Sequence, residues 1–124
     1  MGAVALDASV AIGFLDPADA HHERAVAALR EHPGSSLLMA ASAYSETLVR
    51  PFALGLAEQV EEFVDRLNVE IVPADRPIAR RAAELRAKHD VLRLPDAFVL
   101  ATARSRQARL LTFDRDLASL SRQA

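Results

Sequence analysis

The sequence has no cysteine, so it can hold no disulfide framework, thiolate zinc site or thiol redox motif, and a reducing compartment is its natural setting. No uninterrupted apolar run approaches the roughly 20 residues that span a bilayer. Asp7 and Asp16 break the N-terminal apolar stretch, so neither a membrane span nor a secretory leader is expected. Lysine is nearly absent, Lys88 standing alone against a background of arginine, and the formal net charge is −2. That balance argues against a protein that binds nucleic acid through bulk positive charge. It leaves room for a local arginine rim, arginine being the better bidentate ligand for phosphate, although an Ala- and Arg-rich composition also has a plainer source in a GC-rich genome. Repeats, linkers and low-complexity tracts are missing too. What remains is 124 residues, 51% of them hydrophobic, which is enough for one domain over residues 1–124 with a genuine core and too little for two. A soluble, cytoplasmic protein is expected.

Hydrophobic periodicity divides the chain into alternating elements. Residues 3–6, 36–40, 69–72 and 109–112 are short and apolar almost throughout, as strands covered on both faces are. Between them lie helical patterns at 10–15, 19–31, 42–50, 57–67, 75–89 and 95–103, with a last segment at 114–120. Ser42 reads as an N-cap, Pro51 as the stop of the helix it follows, and His32-Pro33-Gly34 as a break. The fold class expected is α/β: a three-layer α/β/α sandwich around a short parallel sheet of four to five strands.

Acids interrupt this apolar pattern in four places. Asp7 follows the first strand directly, Glu46 lies one turn into the helix after the second, and Asp96 opens the almost wholly apolar LPDAFVLATA. Asp114 and Asp116 come just after the last strand, in LLTFDRDL. Each has an ordinary explanation taken singly: a turn residue for Asp7, N-caps for Asp96 and Asp114, solvated positions for Glu46 and Asp116. Together, an open parallel sheet would bring them to the edge where its ligands bind, and clustered carboxylates repel one another unless a cation or acid–base chemistry uses them. Oxygen donors without cysteine suit a hard cation, Mg²⁺ or Mn²⁺, of the kind that serves phosphoryl chemistry. Ser9 and Thr112 supply hydroxyls that either orient a carboxylate or cap a helix.

The ordered set of strand-Asp-x-Ser, a mid-chain Ser-Glu, Leu-Pro-Asp-Ala opening an Ala-rich helix, and Leu-Leu-Thr-x-Asp-x-x-Leu resembles the PIN-domain family over essentially the whole chain. More narrowly it is similar to the VapC-type ribonuclease toxins of bacterial VapBC type II toxin–antitoxin pairs. The resemblance implies a Mg²⁺- or Mn²⁺-dependent endoribonuclease, with Asp7 and Asp96 as core metal ligands and Glu46 as the third acid. It further implies Asp114 as the fourth acid, in direct or water-mediated contact, with Asp116 supporting. A homodimer, a cognate VapB-type antitoxin and an RNA substrate are the implied partners, the antitoxin laying a segment along an apolar groove and pushing a basic side chain toward the acids.

Arg93 and Arg115 flank these acids and are candidate RNA contacts. His21 and His22 point about 100° apart on a helix and are expected at the surface. Leu48, Val49, Phe52, Leu54 and Leu56 exceed what one small sheet needs, and serve either as core or as a partner surface. A phosphoacceptor receiver domain would need paired acids after the first strand and a lysine after the fifth, and a phosphatase an Asp at position 9; none is present. The remaining alternative is a catalytically idle PIN-like module that binds RNA or a partner.

Overall fold

A computed structural model describes residues 2–123. Its elements are β1 (Ala3–Leu6), α1 (Ala8–Leu15), α2 (His22–Arg30), β2 (Ser36–Ala40), α3 (Ala41–Leu54) and α4 (Ala57–Arg66), followed by β3 (Glu70–Val72), α5 (Arg76–Lys88), α6 (Leu94–Ser105), β4 (Arg109–Leu111) and α7 (Arg115–Ser121). The four strands form one parallel sheet in the order β3-β2-β1-β4, with Val4 paired to Leu37 on one side and to Arg109 on the other. The α/β sandwich expected from the alternating pattern is therefore the architecture observed. Among the described residues no helix is long and apolar enough to cross a membrane.

Strand order fixes where a ligand would sit. The connections from β1 to β2 and from β2 to β3 step the same way across the sheet, whereas the return from β3 to β4 lands on the far side of β1. Parallel crossovers are right-handed, so the first two place their helices on one face and the third places α5 and α6 on the other. The switch point falls between β1 and β4, whose carboxyl ends open a crevice. Asp7 leaves one of those ends and Thr112 the other.

The core is aliphatic: Leu6, Val10, Met39, Val99, Leu100 and Leu117 are almost completely enclosed. Asp7, Thr47, Asp96 and Thr102 are the polar or charged residues buried among the described residues. Both threonines return their hydroxyls to the carbonyl one turn back, Thr47 to Ala43 and Thr102 to Phe98, each at 2.7 Å. The two aspartates do not satisfy themselves within a helix in this way, and they mark the site.

Three local readings differ from the structure. Pro51 does not stop α3: the helix runs on to Leu54 and ends at Gly55, whose φ of 74° is left-handed. Proline removes one amide donor and leaves the turns on either side intact, while glycine adopts the left-handed stop without a Cβ penalty. Ser42 is not the N-cap of α3. Ala40 takes that position, and the Ser42 hydroxyl donates to the Pro95 carbonyl at 3.0 Å, joining α3 to the start of α6. His21 and His22 are half-buried rather than exposed. His22 Nδ1 donates to the Gly13 carbonyl at 2.8 Å, and the His21 ring packs on Phe113.

Candidate functional site

Asp7 stands at the junction of β1 and α1, in the N-cap position, yet its side chain makes no capping bond. Its amide donates to the Leu111 carbonyl at 3.0 Å, which continues the sheet by one rung and holds the residue at the mouth of the crevice. The carboxylate instead accepts two hydroxyls on the same oxygen: Ser9 Oγ donates to Oδ2 at 2.9 Å and Thr112 Oγ1 at 2.7 Å. Each hydroxyl is oriented in turn, because the Phe113 amide donates to Ser9 Oγ and the Asp114 amide to Thr112 Oγ1, both at 3.1 Å. Charge-assisted bonds of this kind are about twice as strong as neutral ones. Among the described residues no donor meets Oδ1. Since no buried side-chain polar atom lacks a partner among the described residues, that oxygen keeps a path to solvent.

Asp96 sits in the first turn of α6, behind Pro95, and is only 8% exposed. Arg93 Nε donates to its Oδ2 at 3.2 Å. Burial raises the Asp96 pKa; Arg93 opposes the shift, and the nearby Asp7 and Asp114 carboxylates add to it. Glu46 comes from α3, half-buried, and its pKa is also raised, first by burial and then by the charges of Asp96 and Asp7. Three elements thus bring carboxylates into one region, where the Asp7 charge acts on both Asp96 and Glu46 and the Asp96 charge acts on Glu46.

Asp114 is exposed and caps α7, its Oδ1 accepting the Leu117 amide at 2.9 Å. Its field nevertheless acts on Asp96 and on Arg93. Asp116, in the first turn of α7 and exposed, is not among the charges acting on either acid. Asp7 and Asp96 thus act on Glu46, and Asp7 and Asp114 on Asp96. Of the two arginines, Arg93 lies within the group and Arg115 is a solvent-facing neighbour. The counter-charge role of Arg93 and the Ser42 link were not readable beforehand, since both depend on how α3 and α6 cross.

The donor chemistry fits a hard divalent cation: all oxygen, one carboxylate pre-oriented with a free lone-pair edge, and two more kept apart from water. It is not a closed cage. Among the described residues no three acidic or histidine side chains are gathered closely enough to hold an ion between them.

Beside Glu46 begins a groove of about 480 Å³, lined by Ile12, Leu15, Leu54, Leu56 and Val60. Along the same helix Val49 and Phe52 are 70% and 68% exposed. The surplus aliphatic residues of this region are thus mostly surface rather than core.

The PIN domain model matches residues 4–123. Among solved structures, the Sarcin-Ricin loop cleaving toxin VapC20 of Mycobacterium tuberculosis superposes with a TM-score of 0.79 at 18% identity, covering 94% of each chain. A toxin–antitoxin complex from Klebsiella pneumoniae gives 0.79 at 24% identity, over 94% of this chain and 92% of that one. FitAcB from Neisseria gonorrhoeae gives 0.73 at 22%, over 98% and 94%. No curated protein matches the sequence significantly.

Proposed function

This chain belongs to the PIN domain family, and from that membership we propose that it is a Mg²⁺- or Mn²⁺-dependent endoribonuclease, the toxin of a type II toxin–antitoxin pair. The observation that carries the reading is the Asp7 carboxylate, buried at the sheet's switch point and clamped through one oxygen by Ser9 and Thr112. An aspartate needed only for a turn or a cap would not be built this way.

Asp7 and Asp96 would hold the ion directly, with Glu46 and Asp114 reaching it directly or through water. A divalent cation bound there supplies neutralisation of charge on the phosphate and a water of lowered pKa. The residues of the chain do the rest. Ser9 and Thr112 keep Asp7 Oδ2 engaged, so that Oδ1 is the edge presented outward. Glu46, whose carboxyl binds a proton more tightly than usual, accepts the proton that the attacking water gives up. Arg93, exposed and donating to Asp96 at the edge of the group, is the side chain placed to meet the RNA backbone. Water adds to phosphorus, the bond to one bridging oxygen breaks, and that oxygen leaves as an alcohol after protonation by solvent.

The groove that includes Glu46 suits an antitoxin segment, because an occupant of that groove reaches this acid. Several of the structural relatives are themselves toxin–antitoxin assemblies. Val49 and Phe52 extend the apolar surface toward a second copy of the chain or the same antitoxin.

End-labelled RNA incubated with purified, antitoxin-free protein tests the reading. Discrete fragments are expected with Mn²⁺ or Mg²⁺, and not with chelator or with Asp96→Asn, which should melt at or above the wild-type temperature. Fragments that persist in the variant would exclude this site; complete inactivity of the wild type would favour the idle binding module.

A further inference from the structure

On the rim of the crevice three side chains make a contact that the acid cluster does not use. The Arg24 guanidinium lies 4.5 Å from the centroid of the Phe113 ring, over its face. The His21 ring packs against the same Phe113 at 4.9 Å, tilted by 33°. Arg24 Nη1 donates to His21 Nδ1 at 3.4 Å, closing the triangle. Phe113 is the residue between Thr112 and Asp114, and its own amide donates to the hydroxyl of Ser9 that binds Asp7. The ring that anchors Arg24 is therefore part of the loop that fixes the first acid.

Arg24 is set apart by the ring beneath it, since most arginines of the described residues, Arg24 included, have no carboxylate partner. Among the described residues Arg81, Arg93 and Arg106 are paired with carboxylates, whereas no acid lies within ion-pair distance of Arg24. Its side chain is exposed, but the face of Phe113 and the Nδ1 of His21 hold it in place instead of a counter-charge. A guanidinium stacked on a ring keeps its charge and leaves outward N–H groups in a fixed fork, the form that recognises phosphate. A chain of net charge −2 whose crevice is lined by acids repels a polyanion, so a fixed cation on the rim has a definite use.

We propose that Arg24, held on Phe113 and His21, is a positioning residue that binds a backbone phosphate of single-stranded RNA next to the one presented to the acids. The inference rests on the ribonuclease reading, and names a part of the substrate track that the acids do not supply. Binding follows the chemistry of the sugar-phosphate chain and carries no base preference.

The test uses a fluorescein-labelled single-stranded RNA oligonucleotide of mixed sequence, titrated in the non-cleaving Asp96→Asn background at several salt concentrations. Arg24→Gln is expected to weaken binding about tenfold and to reduce the slope of log affinity against log salt by about 0.7, one phosphate contact on a single strand. Arg24→Lys, which keeps the charge, should restore most of the slope. Phe113→Leu should lose affinity as Arg24→Gln does, because the charge is then no longer held. Arg30→Gln, on the same helix outside the triangle, should bind like the parent. In the cleaving protein Arg24→Gln should raise KM about tenfold with little change in kcat. Unchanged affinity, slope and KM in Arg24→Gln, while cleavage still depends on Asp96, would overturn this proposal and leave the ribonuclease reading standing; wild-type protein that neither binds nor cuts RNA would overturn both.

Discussion

Thr112 decides more than its size suggests. It donates to Asp7 Oδ2 at 2.7 Å and accepts the Asp114 amide at 3.1 Å, so replacing it by Val removes both bonds at the point where β1 and β4 diverge. A hydrogen bond to a charged group contributes about 1.5–3 kcal/mol, so Thr112→Val should lower unfolding free energy by about that much in a urea titration. Its effect on a bound ion should be larger in proportion, a loss of metal affinity of about 10-fold or more, with Thr112→Ser retaining most of it. The two raised pKa values give a pH signature. Glu46 and Asp96 bind protons more tightly folded than their ordinary values allow, so the folded state holds more protons and stability falls as pH rises from the ordinary carboxylate range through the raised values. Chelated protein melted across that range should lose stability with rising pH relative to the Glu46→Gln, Asp96→Asn double variant. A difference that stays flat would mean that neither acid is perturbed. At this scale the sequence was legible in its acids, since each interrupts an apolar pattern. The sequence did not reveal that Asp114 caps its helix while Asp7, in an N-cap position, makes no capping bond, because that depends on which donors the fold delivers to each carboxylate.

At the scale of elements, the periodic patterns located the four strands and the first six helices of the described residues to within a few residues, and left the segment at 114–120, which is α7, open between helix and turn. The misreadings came from punctuation. Pro51 reads as the stop and Gly55 is the stop, because a proline within a helix costs one donor while a glycine offers a conformation that other residues adopt with strain. Gly55→Ala should accordingly destabilise the protein by about 1 kcal/mol, the penalty of a Cβ in the left-handed region, seen as a lower urea midpoint. An unchanged midpoint would show that the end of α3 relaxes freely. The consequence reaches function, because the last turn of α3 carries Leu54 to the groove that begins at Glu46. A helix stopping at Arg50 would have left that groove without one wall.

For the whole molecule, the parallel order β3-β2-β1-β4 gathers acids spread from Asp7 to Asp114 at one edge. Alternation of apolar strands with helices made that convergence legible from sequence through the switch-point rule. The partner surfaces were not, because exposure of Val49 and Phe52 is decided by which face of α3 the sheet and α6 cover. The central claim is that the converging acids are a metal site, and calorimetric titration of Mn²⁺ into the metal-free protein tests it most directly. The account predicts saturable binding in the wild type, tighter as pH rises because protons leave Glu46 and Asp96, and abolished in Asp7→Asn and Asp96→Asn while both remain folded. Absence of binding in the wild type, or equal binding in the two variants, would contradict it.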